Sequence, residues 1–247
     1  MEKKAKQIII KLGRSITTND DDSINSELFM QLAKQIKELH DKNYGVILVV
    51  SGAVVAGKKR LTHTKHGLHK GLLANLGQII LINEINALFA NEDILTGQML
   101  LTKNDISDEN KVSQIKEIIN TAVANNIVLV FNENDAVEYG TFLGNDFLAA
   151  TLTKITPVDT LLLLTDVEGV LDKNMQVLKT LTTAELDHIA TIEKENDKGE
   201  VGGMRAKIEA ALIAKATGTK CIIAHGKTEN ILTKVFINNE SIGTTIL

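Results

Sequence analysis

Short apolar runs, each long enough for one β-strand, recur along this 247-residue chain and end in glycine, hydroxyl, amide or acidic residues. Four of them cover residues 7–12, 46–50, 127–131 and 160–164. Stretches of helical length separate them, which is the pattern of parallel strands joined by crossover helices. The alternation predicts an α/β fold with a largely parallel sheet. Since no linker or repeat interrupts it, a single domain is expected over residues 1–247.

Composition narrows the class of protein. The formal net charge is −4 and no basic stripe is present, so nucleic acid is not an expected partner. The single cysteine, Cys221, excludes an intramolecular disulfide and suits a reducing compartment. The apolar run at Ile8–Leu12 is too short for a signal peptide, and no apolar run reaches spanning length. We therefore expect a soluble cytoplasmic protein that does not associate with membranes.

Lys11 lies inside the first apolar run, and Gly13 follows that run. A buried lysine is costly unless its ammonium reaches a partner or a ligand. The alternative is that its stem packs while the ammonium extends to the strand end. Because a glycine allows close approach to the backbone, Lys11 and Gly13 are candidate ligand-binding residues.

Ser51 and Gly52 follow the second apolar run. Residues 52–58 have the Gly-x4-Gly-Lys spacing of a P-loop, but Lys59 stands where the Mg²⁺-binding hydroxyl is required. The intervening residues are apolar and indicate the start of a helix. We therefore reject a P-loop and expect Ser51 and Gly52 to offer a hydroxyl and backbone N–H groups to a small anion.

A polar junction follows the third run. Asn132–Asp135 end the predicted strand, and Gly144 precedes Asn145 and Asp146 at the start of an apolar helix. Asn145 or Asp146 is expected to cap that helix, whose N-terminus attracts anions. With Ser51, the side chains of Asn134, Asp135 and Asn145 could bind a small polar substrate, Asp135 pairing with an ammonium. The alternative is a polar loop and a cap without further function.

Two later segments have features of a nucleotide site. Thr165 and Asp166 end the fourth run and could hold a nucleoside or orient a lysine. Gly202 and Gly203 begin an alanine-rich helix, and such a turn forms an anion-binding concavity with Lys207 one turn further on. The alternative for the two glycines is a flexible connector.

Two other clusters contain residue types found in metal sites. His63, His66 and His69 are spaced three apart, but no Cys or acidic residue completes a usual site, so an exposed loop is the favoured interpretation. Asp20–Ser23 is interpreted as a helix cap. We therefore predict no metal held by protein ligands alone.

Six motifs, in order along nearly the whole chain, resemble those of the amino acid kinase family. They are Ile10–Gly13, Val50–Ala53, Gly97–Thr102, Asn132–Ala136, Leu161–Asp166 and Gly202–Met204 with Lys207. The resemblance implies an αβα sandwich with a largely parallel central sheet and ATP-dependent phosphoryl transfer. Within the family it implies the branch that phosphorylates the γ-carboxylate of L-glutamate, the first step of proline biosynthesis. A carboxylate acceptor is already ionised at pH 7 and needs no general base.

The resemblance also implies roles and partners. Lys11 and Lys207 would contact the ATP phosphates and the transferring group, and Mg²⁺ would accompany ATP. The implied nucleotide-binding residues are Lys11, Gly13, Thr165, Asp166, Val201, Gly202, Gly203, Met204 and Lys207. The implied glutamate-binding residues are Ser51, Gly52, Asn134, Asp135 and Asn145. Relatives form dimers or tetramers, are often inhibited by proline, and pass their acyl phosphate to a reductase.

The chain departs from the family pattern at three places. Gly144–Asp146 is one aspartate short of the usual Gly-Asp-Asn-Asp, Arg14 replaces a small hydroxyl residue, and Val201 replaces threonine. The chain also ends after the kinase domain, whereas many relatives carry a C-terminal PUA domain. Two alternatives stay open: a family member acting on a different carboxylate, phosphate or carbamate, and a non-catalytic sensor of amino acid or nucleotide.

Overall fold

A central sheet of eight strands organises the protein in the computed structural model, which describes residues 5–61, 68–137, 144–182, 185–186 and 203–246. The strands are β1 Lys6–Leu12, β2 Tyr44–Val50, β3 Thr96–Leu101, β4 Val128–Glu133, β5 Thr160–Thr165, β6 Thr180–Leu181, β7 Lys220–His225 and β8 Thr244–Ile246. Their order is β3-β4-β2-β1-β5-β7-β8-β6. Among the strand pairs of the described residues, only β7–β8 is antiparallel, so the prediction of a largely parallel sheet is confirmed.

Helices cover both faces of the sheet. They are α1 Arg14–Thr17, α2 Ser26–Asp41, α3 Ala53–Arg60, α4 Lys70–Ala90, α5 Lys103–Ser107, α6 Glu109–Ala124, α7 Asn145–Ile155, α8 Met204–Ala216 and a π-helix, Thr233–Ile237. Ile9 of β1 packs in a core with α6, α7 and α8, whereas Ile8 and Ile10 pack in a second core with α2 and α4. Because successive strand residues face opposite sides, the two cores make an αβα sandwich, as predicted.

β1 lies at the centre of the sheet, between β2 and β5. Since β1, β2, β4 and β5 are parallel, their carboxyl ends meet at one edge of the sheet. In open α/β sheets, this edge is where ligands bind. The topology therefore gathers Lys11, Ser51, Glu133 and Thr165, which lie at or just beyond those strand ends.

The P-loop-like spacing belongs to a helix–helix contact. Gly57 lies inside α3, where an added Cβ would come within 2.0 Å of the Leu73 carbonyl oxygen. A Cβ on Gly77 of α4 would lie 1.7 Å from the Ala53 oxygen. The two glycines let α3 and α4 pack backbone against backbone, so the rejection of a P-loop is confirmed.

Helix α4 is, within the described part of the chain, the one helix long and apolar enough to cross a membrane by length and composition. Leu81 and Ile85 are buried in the core, and the helix packs against α2 and α3. α4 is thus part of the sandwich. Its outer face leaves the side chains of Leu72 and Ile79 47% and 64% exposed.

Two predicted helix caps are wrong. Asn25 caps α2 by accepting a hydrogen bond from the Leu28 N–H, whereas Asp21 of the acidic turn pairs with Lys59. α7 begins after Gly144, whose φ of 94° suits glycine, and neither Asn145 nor Asp146 is its N-cap residue. Both side chains instead bind to other elements of the candidate site.

Candidate active site at the carboxyl ends of the strands

One carboxylate holds two buried lysines. Asp146, the second residue of α7, places Oδ1 2.6 Å from Lys11 Nζ and Oδ2 3.4 Å from Lys207 Nζ. Lys11 comes from β1 and Lys207 from the first turn of α8, so three elements converge on this point. The exposed fractions are 5% for Lys11, 2% for Asp146 and 6% for Lys207.

The charge of this cluster favours an anionic ligand. Burial lowers the pKa of Lys11, the Asp146 carboxylate opposes that shift, and the neighbouring Lys207 ammonium reinforces it. Asp146 contacts both ammonium groups, so these three side chains taken together carry a net positive charge when both lysines are protonated. A buried excess of charge is stabilised by a counter-charge, which a phosphate group would supply.

Beside the lysines, four side chains form a hydrogen-bonded row, here called the amide relay: Ser51, Asn145, Asn132 and Gln78. Asn145 Nδ2 donates to Ser51 Oγ at 2.9 Å and to Asn132 Oδ1 at 2.8 Å. Asn132 Nδ2 donates to Gln78 Oε1 at 2.9 Å. The Asn145 Oδ1 atom is buried and has no hydrogen-bond partner among the described residues. The relay therefore leaves one buried acceptor unsatisfied next to the cationic cluster.

Glu133, at the end of β4, is a buried acid on the same edge. It is 8% exposed, and its Oε1 lacks a hydrogen-bond partner among the described residues. Burial is the main cause that raises the pKa of Glu133 to about 8, and the nearby charge of Asp135 raises it further. A hydrogen bond from the Gly144 N–H and the charge of Lys11 lower this pKa, but by less. Burial also raises the pKa of Asp135. Glu133 therefore carries its proton at neutral pH.

Replacing Glu133 by glutamine is expected to remove a pH dependence of folding. An acid whose pKa rises from 4.5 to about 8 on folding holds its proton more tightly in the native state, so its contribution to stability falls as pH rises between those values. The unfolding free energy of Glu133→Gln minus that of the unchanged protein should rise by roughly 4 kcal/mol between pH 5 and pH 9.

Urea unfolding at the two pH values measures this difference. Glu117→Gln, on an exposed position of α6, is the matched control. A difference for Glu133→Gln that stays constant from pH 5 to pH 9 would show that Glu133 is ionised in the folded protein throughout.

Thr165 and Asp166 lie together at the end of β5. Thr165 is buried and donates its hydroxyl to Asp166 Oδ1 at 3.1 Å. Burial alone would raise the pKa of Asp166, but hydrogen bonds from its own backbone N–H, Thr165 and Ser15 outweigh burial and lower it. Asp166 is exposed, so this edge presents an ionised carboxylate to solvent near Lys207.

The start of α8 is open to a ligand. Gly203 is exposed, and a Cβ added there would meet no atom of the described residues within 4 Å. A Cβ on Gly13 would lie 3.8 Å from Lys11 Nζ, so the backbone is also close to the ammonium on the β1 side. Val201 and Gly202, which complete the predicted turn, lie outside the described residues. With the N–H groups of the first turn of α8, the lysines suit the phosphates of a nucleotide.

Magnesium fits this set of side chains only as a companion of phosphate. No group of three His, Cys, Asp or Glu side chains that could hold a metal occurs among the described residues. Mg²⁺ often uses one or two carboxylates and takes its other ligands from water and substrate phosphates. Asp146 is already engaged by two lysines, whereas Asp166 is exposed and ionised. His69 caps α4, and His63 and His66 lie outside the described residues.

The structure brings together three pairs of predicted site residues: Lys11 with Lys207, Ser51 with Asn145, and Thr165 with Asp166. Gly52 begins α3, and Met204 begins α8. Asn134 and Asp135 lie in a partly buried turn against the start of α4, where a Cβ on Gly71 would be 3.2 Å from the backbone carbonyl oxygen of Asp135. Arg14 is exposed.

Four residues of the site were not among the predicted binding or catalytic residues: Gln78, Asn132, Glu133 and Asp146. The last three belong to the polar junction identified in the sequence, but no ligand-binding role was predicted for them. A buried lysine needs a carboxylate partner, and that requirement could have identified Asp146. Gln78 had no such signal, because a single glutamine in a long apolar helix does not by itself indicate a site.

A cationic cluster at the strand ends of an αβα sandwich is an arrangement that suits a small anionic ligand, and comparisons with known proteins identify the family to which it belongs. The amino acid kinase family pattern matches residues 6–225. Glutamate 5-kinase from Caldanaerobacter subterraneus is 34% identical over 252 residues, covering 98% of this chain and 68% of the relative. Glutamate 5-kinase from Alkaliphilus metalliredigens is 34% identical over 250 residues, covering 96% and 94%. Giardia carbamate kinase has the same fold, with a TM-score of 0.69, 17% identity and coverage of 98% and 99%.

The chain belongs to the amino acid kinase family. The matched range runs from the start of β1 to the end of β7 and includes Lys11, Asp146 and Lys207. The family predicted from six short motifs is therefore confirmed over most of the chain.

Proposed function

We propose that this protein transfers the γ-phosphoryl group of ATP to the γ-carboxylate of L-glutamate and forms γ-glutamyl phosphate. The observation that carries the proposal is the pair of buried lysines on Asp146, next to the amide relay. This arrangement supplies positive charge and a polar pocket side by side. The proposal is further supported by relatives named glutamate 5-kinase, which are 34% identical over nearly the whole chain.

The two lysines account for the chemistry proposed. Phosphoryl transfer depends mainly on positioning and on stabilising charge on the transferring group. Lys11 and Lys207 would bind phosphate oxygens and offset the charge that builds up on them, with Asp146 keeping both ammonium groups in place. Mg²⁺ bound with ATP would neutralise phosphate charge. No general base is required, because the acceptor carboxylate is already ionised.

The remaining predicted residues divide between two pockets. Gly13, Thr165, Asp166 and the start of α8 would bind ATP, since they surround the two lysines on the β5 side of the sheet. Ser51, Gly52, Asn134, Asp135 and Asn145 would bind glutamate, since they lie on the β2 and β4 side. The acceptor carboxylate would then meet the transferring phosphoryl group near Lys11, which lies on β1 between the two sets.

A hydroxamate assay tests the function. Purified protein is incubated with glutamate, ATP, Mg²⁺ and hydroxylamine, which traps an acyl phosphate as a hydroxamate. We expect ATP-dependent hydroxamate with L-glutamate, and its absence at saturating substrates would reject the proposal.

Asp135→Ala is expected to raise the glutamate KM about tenfold and to change the ATP KM by less than about twofold, because a lost ionic contact to the ammonium weakens binding by roughly 1.4 kcal/mol. Initial rates in the hydroxamate assay measure both constants. Val137→Ala, an exposed position in the same turn, is the control. A change confined to the ATP KM would instead assign Asp135 to the nucleotide site.

Another acceptor is the second candidate. It is favoured by the Gly144–Asp146 motif, which is one aspartate short at the substrate pocket, and by the fold shared with a carbamate kinase. A panel of aspartate, N-acetylglutamate and carbamate in the presence of ATP separates the two, with ADP release as the readout. Binding of ATP and glutamate without turnover would favour a sensor.

Partners and setting follow from the proposed reaction. An acyl phosphate is unstable, so a reductase that consumes γ-glutamyl phosphate would act next, in the cytoplasm and on the way to proline. Proline would then be the natural feedback inhibitor.

The exposed Leu72 and Ile79 side chains of α4 would pack in a homo-oligomer, a dimer or tetramer, which sedimentation at several concentrations tests.

A further inference from the structure

Gln78 is a buried amide on the inner face of α4. It is 8% exposed and shares that face with Leu81 and Ile85. A buried amide is costly unless it is hydrogen-bonded. Gln78 Oε1 accepts from Asn132 Nδ2, which lies 54 positions away in the chain, and this contact is fully buried. Gln78 therefore links α4 to the end of β4, where the candidate substrate pocket begins.

This contact determines the orientation of two further amides. Because Asn132 gives its Nδ2 to Gln78, its Oδ1 remains to accept from the Glu133 N–H and from Asn145 Nδ2. Asn145 then uses its two N–H groups on Asn132 and Ser51. The amide oxygen of Asn145, Oδ1, is then a buried acceptor without a hydrogen-bond partner among the described residues.

We propose that Gln78 is a positioning residue that acts through Asn132 to keep the Asn145 amide oxygen facing the substrate, so that the site selects an acceptor bearing a hydrogen-bond donor. A carboxylate has only acceptor atoms and cannot satisfy Asn145 Oδ1. The ammonium of an amino acid can. The inference rests on the proposed function and extends it, since it assigns the preference for an amino acid over a simple dicarboxylate to a residue of α4.

Kinetic constants of four variants test the inference. Gln78→Met and Gln78→Ala remove the acceptor for Asn132, whereas Gln78→Glu keeps one. Asn83→Met, at an exposed position of the same helix, is the matched control. We expect Gln78→Met and Gln78→Ala to raise the glutamate KM about tenfold with the ATP KM within about twofold. Gln78→Glu should stay within about threefold of the unchanged protein, and Asn83→Met should match it.

Substrate preference gives a second readout that a purely structural defect would not move. Glutarate has the acceptor carboxylate of glutamate but no ammonium. The ratio of kcat/KM for glutamate over glutarate is expected to fall about tenfold in Gln78→Met and to stay unchanged in Asn83→Met. An unchanged ratio together with an unchanged glutamate KM overturns the inference.

A double variant tests whether Gln78 acts through Asn145. In an Asn145→Ala background, Gln78→Met should cause no further rise in the glutamate KM, because the group being oriented is gone. The same tenfold rise in both backgrounds would contradict the relay.

Side-chain amide NMR separates this inference from the proposed function. The Asn145 resonances, assigned by their loss in Asn145→Ala, should shift in Gln78→Met or Gln78→Ala but not in Asn83→Met. This measurement needs no substrate. If the unchanged protein forms no hydroxamate, the proposed function fails while the spectrum still decides on the relay. Unshifted Asn145 resonances overturn it.

Discussion

Asp146→Asn is expected to cost the protein on the order of 3–5 kcal/mol of folding stability and most of its turnover. The substitution preserves size but removes the negative charge that lies 2.6 Å from Lys11 and 3.4 Å from Lys207. All three side chains are at most 8% exposed, so solvent cannot replace the lost counter-charge. Breaking a buried ion pair from one side is costly because the remaining charge stays buried.

The loss should depend on pH in a defined direction. Burial already lowers the pKa of Lys11, and removing the Asp146 charge will lower it further. A lysine whose pKa is lowered on folding destabilises the folded state most at a pH where the lysine is protonated in the unfolded chain. This penalty vanishes as pH approaches the ordinary lysine pKa of 10.5. The loss of unfolding free energy in Asp146→Asn, relative to the unchanged protein, should therefore be smaller at pH 9.5 than at pH 7.

Urea denaturation at pH 7 and pH 9.5 measures both effects. Asp21→Asn is the matched control, since Asp21 and Lys59 form an equally short ion pair of 2.6 Å on the surface. Their side chains are 67% and 40% exposed, so solvent and salt weaken that pair and the midpoint should scarcely move. If the urea midpoint shifts no further for Asp146→Asn than for Asp21→Asn, Asp146 does not compensate buried charge.

Patterns local in sequence predicted most of the fold. Apolar runs of five or six residues identified β1, β2, β4 and β5, and polar residues at their ends indicated the edge where the site lies. Because parallel strands place their carboxyl ends together, the proximity of Lys11, Ser51 and Thr165 to one another followed from topology alone. These predictions needed no side-chain contact.

Contacts between distant segments could not be predicted in this way. The hydrogen bond from Asn132 to Gln78 joins a strand end to a helix 54 positions earlier, and no periodicity encodes such a pairing. The mistaken cap on α7 has a related cause. Asn145 and Asp146 are common capping types, but partners on β1, β4 and α8, and Ser51 just beyond β2, engage their side chains. Capping propensity reflects hydrogen bonds within one segment, so it does not predict that side chains from distant segments will bind Asn145 and Asp146 instead.

Lys207 and Asp135 should differ in which kinetic constant they affect, and this difference separates catalysis from substrate binding. Asp135 is proposed to bind glutamate, so its loss should appear in the glutamate KM. Lys207 comes from α8, on the side proposed for the nucleotide, and reaches the cluster through Asp146. Its ammonium would act on the charge of the transferring phosphoryl group, which is greatest in the transition state. Interactions made mainly in the transition state change kcat more than KM.

Lys207→Ala is accordingly expected to lower kcat by about 10²–10³, with the glutamate KM within about threefold. Lys207→Met keeps the buried aliphatic stem, so a similar loss in both variants assigns the effect to the ammonium rather than to packing. Lys215→Ala, at an exposed position near the end of α8, controls for general effects on that helix. Hydroxamate formation at saturating ATP and glutamate measures kcat. An unchanged rate would remove Lys207 from the mechanism, and a rise confined to the glutamate KM would place its ammonium at the substrate instead of the phosphoryl group.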